Sequence, residues 1–166
     1  FSGIYRDVYL YTVPDVHVRD LEIRAVPDET LKRAALTVRL ETMVSGSAEA
    51  GKAVFVLERA GQAVFREEKQ LGEENAYSFT VEEPKLWSAE EPNLYDLRIE
   101  IYDAESVLQE IIPEKVGFRR FEMKDHIMTL NGKRIVFKGV NRHEFSAVSG
   151  RHVSEAELRK DLETMK

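Results

Sequence analysis

Cysteine is absent from the 166 residues, which excludes disulfides, thiolate metal sites and a cysteine nucleophile. No apolar run approaches the ~20 residues a helix needs to cross a bilayer, and Phe1-Ser2-Gly3-Ile4-Tyr5-Arg6 has neither the basic nor the apolar region of a secretory leader. An excess of positive charge is also missing, because 24 Lys and Arg against 30 Asp and Glu give a formal net charge of −6. Phosphate recognition rests on clustered Lys and Arg, whereas here they are scattered among acids, and a pair such as Arg119-Arg120 reads as solvated strand positions. Neither nucleic acid nor membrane is expected as a partner, and the compartment leans to the cytoplasm. The sequence opens on Phe1 without an initiator Met and stops at Met165-Lys166, so it is expected to be an internal segment of a longer protein.

Several catalytic frames are missing too. There is no Gly-x-Ser-x-Gly elbow, and Ser2-Gly3 lacks the rest of that motif. His17, His126, His143 and His152 never form His-x-x-x-His or a comparable pair, so no metal site is expected, and no glycine-rich phosphate loop occurs. Carboxylates are plentiful, but Glu67-Glu68, Glu73-Glu74, Glu82-Glu83 and Glu90-Glu91 fall at strand ends or turns. None has a frame that would bury it and raise its pKa.

What is present is alternation. Tyr95, Leu97, Ile99 and Ile101 alternate with Asp96, Arg98 and Glu100; Leu36, Val38 and Leu40 do the same, as do Tyr77, Phe79 and Val81. A period of two marks strands with one face in a core and one in water. Further strands are expected over roughly 16–26, 53–59, 62–69 and 106–121, separated by Pro27-Asp28, Ser45-Gly46-Ser47, Ala60-Gly61, Leu71-Gly72 and Asp103-Ala104. About seven short strands in roughly 100 residues favour an all-β, immunoglobulin-like sandwich over 15–121.

Beyond Phe121 the pattern changes. Ile127 to Leu130 and Ile135 to Phe137 flank Asn131-Gly132, the strongest short hairpin signal. The last segment opens like a helix: Ser154 with Glu157 makes a capping box, Val153 and Leu158 are placed as a hydrophobic staple, and Leu158, Leu162 and Met165 form a narrow stripe. A helix of ~13 residues is marginal alone, so that stripe is expected to need a surface from outside this segment. If 134–140 is the first strand of a parallel barrel, Asn141 to Glu144 lie at its C-terminal end, where such barrels build their sites. His143 could there donate a hydrogen bond to a sugar hydroxyl; the alternative is a surface or packing histidine.

Three groups of residues resemble a known family. Val116-Gly117-Phe118-Arg119-Arg120-Phe121-Glu122, Leu130-Asn131-Gly132-Lys133 and Phe137-Lys138-Gly139-Val140-Asn141-Arg142-His143-Glu144 together resemble the junction of sandwich and barrel in glycoside hydrolase family 2. The Asn-Arg-His-Glu form is similar to its β-galactosidase branch. Leu86-Trp87-Ser88 through Pro92-Asn93-Leu94-Tyr95 resembles a signature late in the same sandwich, and Phe1 to Val8 resembles the closing strand of the preceding jelly roll.

The resemblance implies residues 1–14 as the last strand of a jelly-roll sugar-binding domain, 15–121 as the sandwich and 122–166 as the truncated start of a TIM barrel. It implies a retaining enzyme acting on terminal β-galactosides such as lactose. Its nucleophile and acid/base glutamates would lie beyond Lys166, so no catalytic residue is expected in this chain. His143 is the residue implied to contact the galactoside. Mg²⁺ and Na⁺ are implied only for the parent enzyme, for which a homo-oligomer is among the expected states, and the sandwich is expected to be an inactive spacer between the jelly roll and the barrel. The rival expectation is a non-catalytic carbohydrate-binding or adhesion sandwich sharing the fold. After Glu144 the loop Phe145 to Arg151 departs from the His-rich version found in one well-known family member, so contacts of the neighbouring residues are not carried over from the resemblance.

Overall fold

Alternation from Val16 onward becomes seven antiparallel strands: β1 (Val16–Pro27), β2 (Arg33–Val44), β3 (Ala50–Arg59), β4 (Gln62–Gln70), β5 (Ala76–Glu82), β6 (Tyr95–Asp103) and β7 (Leu108–Val116). They form two sheets, β1-β2-β5 and β4-β3-β6-β7. Three further short strands follow, β8 (Phe121–Lys124), β9 (Ile127–Leu130) and β10 (Lys133–Arg134), in a sheet of their own, and the chain ends in helix α1 (Glu155–Met165). The computed structural model describes residues 3–4, 6–72 and 75–165, so Glu73-Glu74 and much of the Phe1–Tyr5 stretch lie outside the described residues. Residues 13–136 make one compact unit, and 1–12 with 137–166 make another.

The sandwich core is built as the alternation requires. Leu36, Val38 and Leu40 of β2 and Phe79 and Val81 of β5 face Ala53, Phe55 and Leu57 of β3 and Leu97, Ile99 and Ile101 of β6, all buried. Phe55 is fully enclosed, its ring centroid 5.0 Å from those of Tyr77 and Phe79 on the other sheet. A side chain buried so completely stabilises the fold by about 1.5–3 kcal/mol relative to exposure. Outward-facing Val54 and Val56 of β3 are buried as well. They are flanked in register by Glu68 and Arg66 of β4 and by Glu100 and Arg98 of β6. These long side chains can roof the valines with their apolar stems. Glu100, nearly buried, is satisfied by Arg98 Nε at 2.9 Å and the Tyr102 hydroxyl at 2.9 Å.

Local chemistry sets the turns. Ala60-Gly61 and Asn131-Gly132 join β3 to β4 and β9 to β10 with both residues at positive φ (50° and 76°; 51° and 75°), the type I′ geometry that matches strand twist. Asp103 holds the β6–β7 turn by accepting the Val107 N–H at 2.7 Å. At the sandwich edges, a bulge between Val18 and Asp20 takes β1 out of register, and the Val18 N–H donates to the Glu110 carboxylate of β7 at 2.8 Å. Pro113 lies in β7, an edge strand, where its missing N–H breaks no central ladder. Tyr95, at the start of β6, packs edge-on against Phe118 at 4.9 Å, and its hydroxyl accepts the Lys85 N–H at 2.9 Å. This pins the β5–β6 connection much as a tyrosine corner does.

The strand expected over 106–121 ends at Val116. The chain leaves the β7 ladder after Val116, because Gly117 passes under Trp87: a Cβ there would lie 3.0 Å from the Trp87 Cβ, Cγ and Cδ1 atoms. Phe118 then enters the core, bridged to Leu86, and Phe121 opens β8 in the small sheet. A second two-residue turn, Asp125-His126, also at positive φ, makes that sheet a three-stranded meander. The barrel strand posited over 134–140 is likewise not formed; regular pairing ends at Arg134, with one more bond from the Ile135 N–H to the Met128 carbonyl at 3.0 Å. Described residues before Val16 form no strand either. A strand is a paired element, and a parallel one is held between neighbours.

The meander is bonded to the sandwich. Asn131 accepts the Arg120 N–H at 2.9 Å through Oδ1 and donates through Nδ2 to the Trp87 carbonyl at 3.0 Å, while its own N–H reaches the Arg120 carbonyl at 2.8 Å. Arg120 donates to the Pro27 carbonyl at 3.2 Å and pairs with Glu122 at 2.8 Å. The Arg120 hydrogen bond holds the Glu122 carboxyl below its ordinary value of 4.5. A carboxylate whose pKa is lowered in the fold stabilises it above the unfolded pKa and loses that contribution as pH falls through the folded one. Docking of the meander should therefore weaken as pH drops below about 4.5. Faster amide exchange at 121–134 on acidification, abolished in Glu122→Gln, is the expected result; equal acid sensitivity in both proteins would contradict it.

Candidate substrate-contacting loop

The one site residue proposed from sequence, His143, lies in the 137–166 segment with its side chain exposed. The preceding residues, 137–142, have no regular structure, so the loop's position depends on side-chain bonds and on the elements that follow. Ser146 and Gly150 exchange backbone bonds of 2.7 and 2.9 Å, closing a tight loop whose last residue, Gly150, sits at φ 65°. Helix α1 begins just beyond, with the expected capping box: the Glu157 carboxylate takes the Ser154 N–H at 2.9 Å and hydroxyl at 2.8 Å, and the Ser154 oxygen receives the Glu157 N–H at 3.3 Å. These bonds from Ser154, with one from Ser146, keep the Glu157 carboxyl below the usual range. Val153 and Leu158 are half-buried, whereas Leu162 and Met165 are exposed, 62 and 47%.

His143 lines a depression of about 360 Å³ with Arg6, Glu144, Phe145 and Arg151. Arg6 forms an ion pair with Glu144 and donates to the Arg151 carbonyl at 3.1 Å. On the other side of His143, Arg142 donates from Nε and Nη2 to Asp161 of α1 at 3.2 and 2.5 Å. Arg6, Arg142, Phe145, Arg151 and Asp161 were not singled out by sequence. Their partners are distant along the chain, and only the adjacency of Arg142 and Glu144 to His143 carries a signal.

The depression offers donors and a wall: an imidazole, two guanidinium groups and the exposed Phe145 ring. Hydrogen bonds hold the carboxyls of Asp28, Glu122 and Glu157, none of which lines the depression, below their ordinary values. Among the described residues no three His, Cys, Asp or Glu side chains gather as metal ligands. His17 Nδ1 lies 2.9 Å from the Pro14 carbonyl, and His126 sits in the β8–β9 turn. Trp87, the aromatic most like a sugar platform, is half-buried, with Gly117 against it and the Arg119 guanidinium 4.7 Å from its ring. Among the described residues, no helix is long and apolar enough to cross a membrane.

The model of Glycosyl hydrolases family 2 matches residues 16–119, well over half of the chain, and that of the family's TIM barrel domain matches residues 121–166. The chain belongs to glycosyl hydrolases family 2. Its similar relatives include the beta-galactosidase of Halalkalibacterium halodurans, 46% identical over 100% of this chain and 16% of the relative. That of Streptococcus thermophilus is 45% identical over 99% of this chain and 16% of the relative. The beta-galactosidase large subunit of Leuconostoc lactis is 40% identical over 99% of this chain and 26% of the relative. The chain thus spans only a small part of the family 2 proteins it matches. Among solved structures, Bacteroides uniformis beta-glucuronidase 3 superposes with a TM-score of 0.83 at 26% identity, over 98% of this chain and 20% of that one. The immunoglobulin-like sandwich followed by the start of a TIM barrel domain is therefore the family 2 arrangement.

Proposed function

We propose that this family 2 chain is part of a retaining β-galactosidase, in which His143 contacts the sugar and the sandwich is an inactive spacer. The observation that carries the reading is the Asn141-Arg142-His143-Glu144 loop, which presents an exposed imidazole on a depression lined by donors. A galactoside is an array of hydroxyl groups, and hydrogen bonds to them that strengthen in an oxocarbenium-like transition state speed hydrolysis. The two glutamates of the double displacement, and the residues holding any Mg²⁺ or Na⁺, lie outside this chain.

Galactose is favoured over glucuronic acid by relatives named beta-galactosidase at 36–46% identity. The second reading, a β-glucuronidase, draws on Arg6 and Arg151, which could meet a sugar carboxylate. Glu144 already neutralises Arg6, which weighs against it. A carbohydrate-binding sandwich is disfavoured by the covering of Trp87.

The test is turnover of nitrophenyl β-galactoside and β-glucuronide by the whole protein, with the anomer of the first product followed by NMR. Galactoside cleavage with retention is expected, and no turnover by residues 1–166 alone. Preference for the glucuronide, inversion, or an active isolated chain would each defeat part of the reading.

A further inference from the structure

We infer that Arg142 and Glu144 are positioning residues that clamp the backbone at His143 from both sides, an inference that rests on the functional reading above. The loop from 137 to 145 has no helix or strand of its own, and an unpinned loop samples many conformations that must be given up when substrate binds. Both neighbours of His143 are held, and to different segments. Arg142 places two of its nitrogens on one oxygen of Asp161, in the second turn of α1, and its side chain is 24% exposed in a loop that is otherwise largely open to solvent. Glu144 is paired with Arg6, and the same guanidinium reaches the Arg151 carbonyl at 3.1 Å, tying the loop to the strand-free segment before the sandwich and to the turn before α1. The helix end of this clamp is fixed in turn by the Ser154–Glu157 box.

Ion pairs as exposed as these contribute only about 0–1 kcal/mol to stability. Catalysis is more sensitive, since a misplacement of ~1 Å can cost on the order of 10²-fold in rate. A clamp therefore predicts variants that fold normally and react slowly.

The experiment uses the whole enzyme. Arg142→Lys keeps the charge and loses the planar fork; Arg142→Asp and Asp161→Arg break the pair, and the two together restore it in reverse. Expected is a fall in kcat of about tenfold or more for each single charge change with little change in KM, a smaller fall for Arg142→Lys, and recovery in the swapped double variant. Combining Arg142→Asp with His143→Ala should cost no more than His143→Ala alone, because one acts through the other. Additive losses, or full activity in the single variants, would overturn the clamp.

A second readout separates this from the functional reading. Amide exchange across 141–145 should accelerate in Arg142→Asp and in Glu144→Gln but not in His143→Ala; unchanged exchange overturns the clamp even if the galactosidase reading stands. Absence of galactoside turnover in the wild type overturns the reading of function, while the exchange result still decides whether the loop is held this way.

Discussion

Replacing Gly51 by alanine is expected to destabilise the sandwich by about 3 kcal/mol or more, at the upper end of what an overpacked site costs. Gly51 sits at the bulge between Ala50 and Lys52, where β3 crosses the end of β6. A Cβ built on it would lie 2.0 Å from the Asp103 carbonyl oxygen and 2.5 Å from its carbon, so the obstacle is backbone and no rotamer change relieves it. Relief requires the two central strands of the larger sheet to part. That would disturb the neighbouring Ala53–Ile101 and Phe55–Ile99 pairs on the core face. Gly72 provides the control, because a Cβ there meets nothing within 4 Å. Calorimetry should show Gly51→Ala melting well below the wild type and Gly72→Ala close to it; similar shifts in the two would show that the close approach is not limiting.

His143→Ala is expected to lower kcat/KM toward a β-galactoside by about 10²–10³-fold in the whole enzyme, the usual cost of deleting one donor aimed at a developing charge. Melting should hardly change, because the side chain is exposed. His143→Gln, which keeps a donor, should recover part of the loss. A binding contact made equally in ground and transition states would instead raise KM and spare kcat, which the same kinetics distinguish. Wild-type kcat/KM in His143→Ala would remove His143 from the site.

What could be read in advance was local. Tyr95 to Ile101 alternate because one face is core, and the same signal located β2 and β5. Asn131-Gly132 located a turn because its backbone demands positive φ, and Ser154 with Glu157 located a helix start because the two side chains satisfy each other's backbone groups. What could not be read depends on partners distant in sequence. Nothing near Gly117 announces Trp87, thirty residues earlier, so the strand expected to reach 121 stops at Val116. The Arg142–Asp161 pair is separated by 19 residues and Arg6–Glu144 by 138, beyond any periodicity. Asp125-His126 is a weak turn signal by composition, and it was missed although its geometry matches that of Asn131-Gly132.

The attachment of the β8–β10 meander has a further consequence. Every bond that Asn131 makes across it ends on a main-chain atom: the Trp87 carbonyl, the Arg120 N–H and the Arg120 carbonyl. Such a joint recognises the path of the backbone and is indifferent to which side chains the path carries. Sequences on either side can drift independently while the seam stays closed. Chimeras that exchange the sandwich between family members should therefore keep a sound seam wherever Arg120, Asn131 and the glycine beneath Trp87 are all retained.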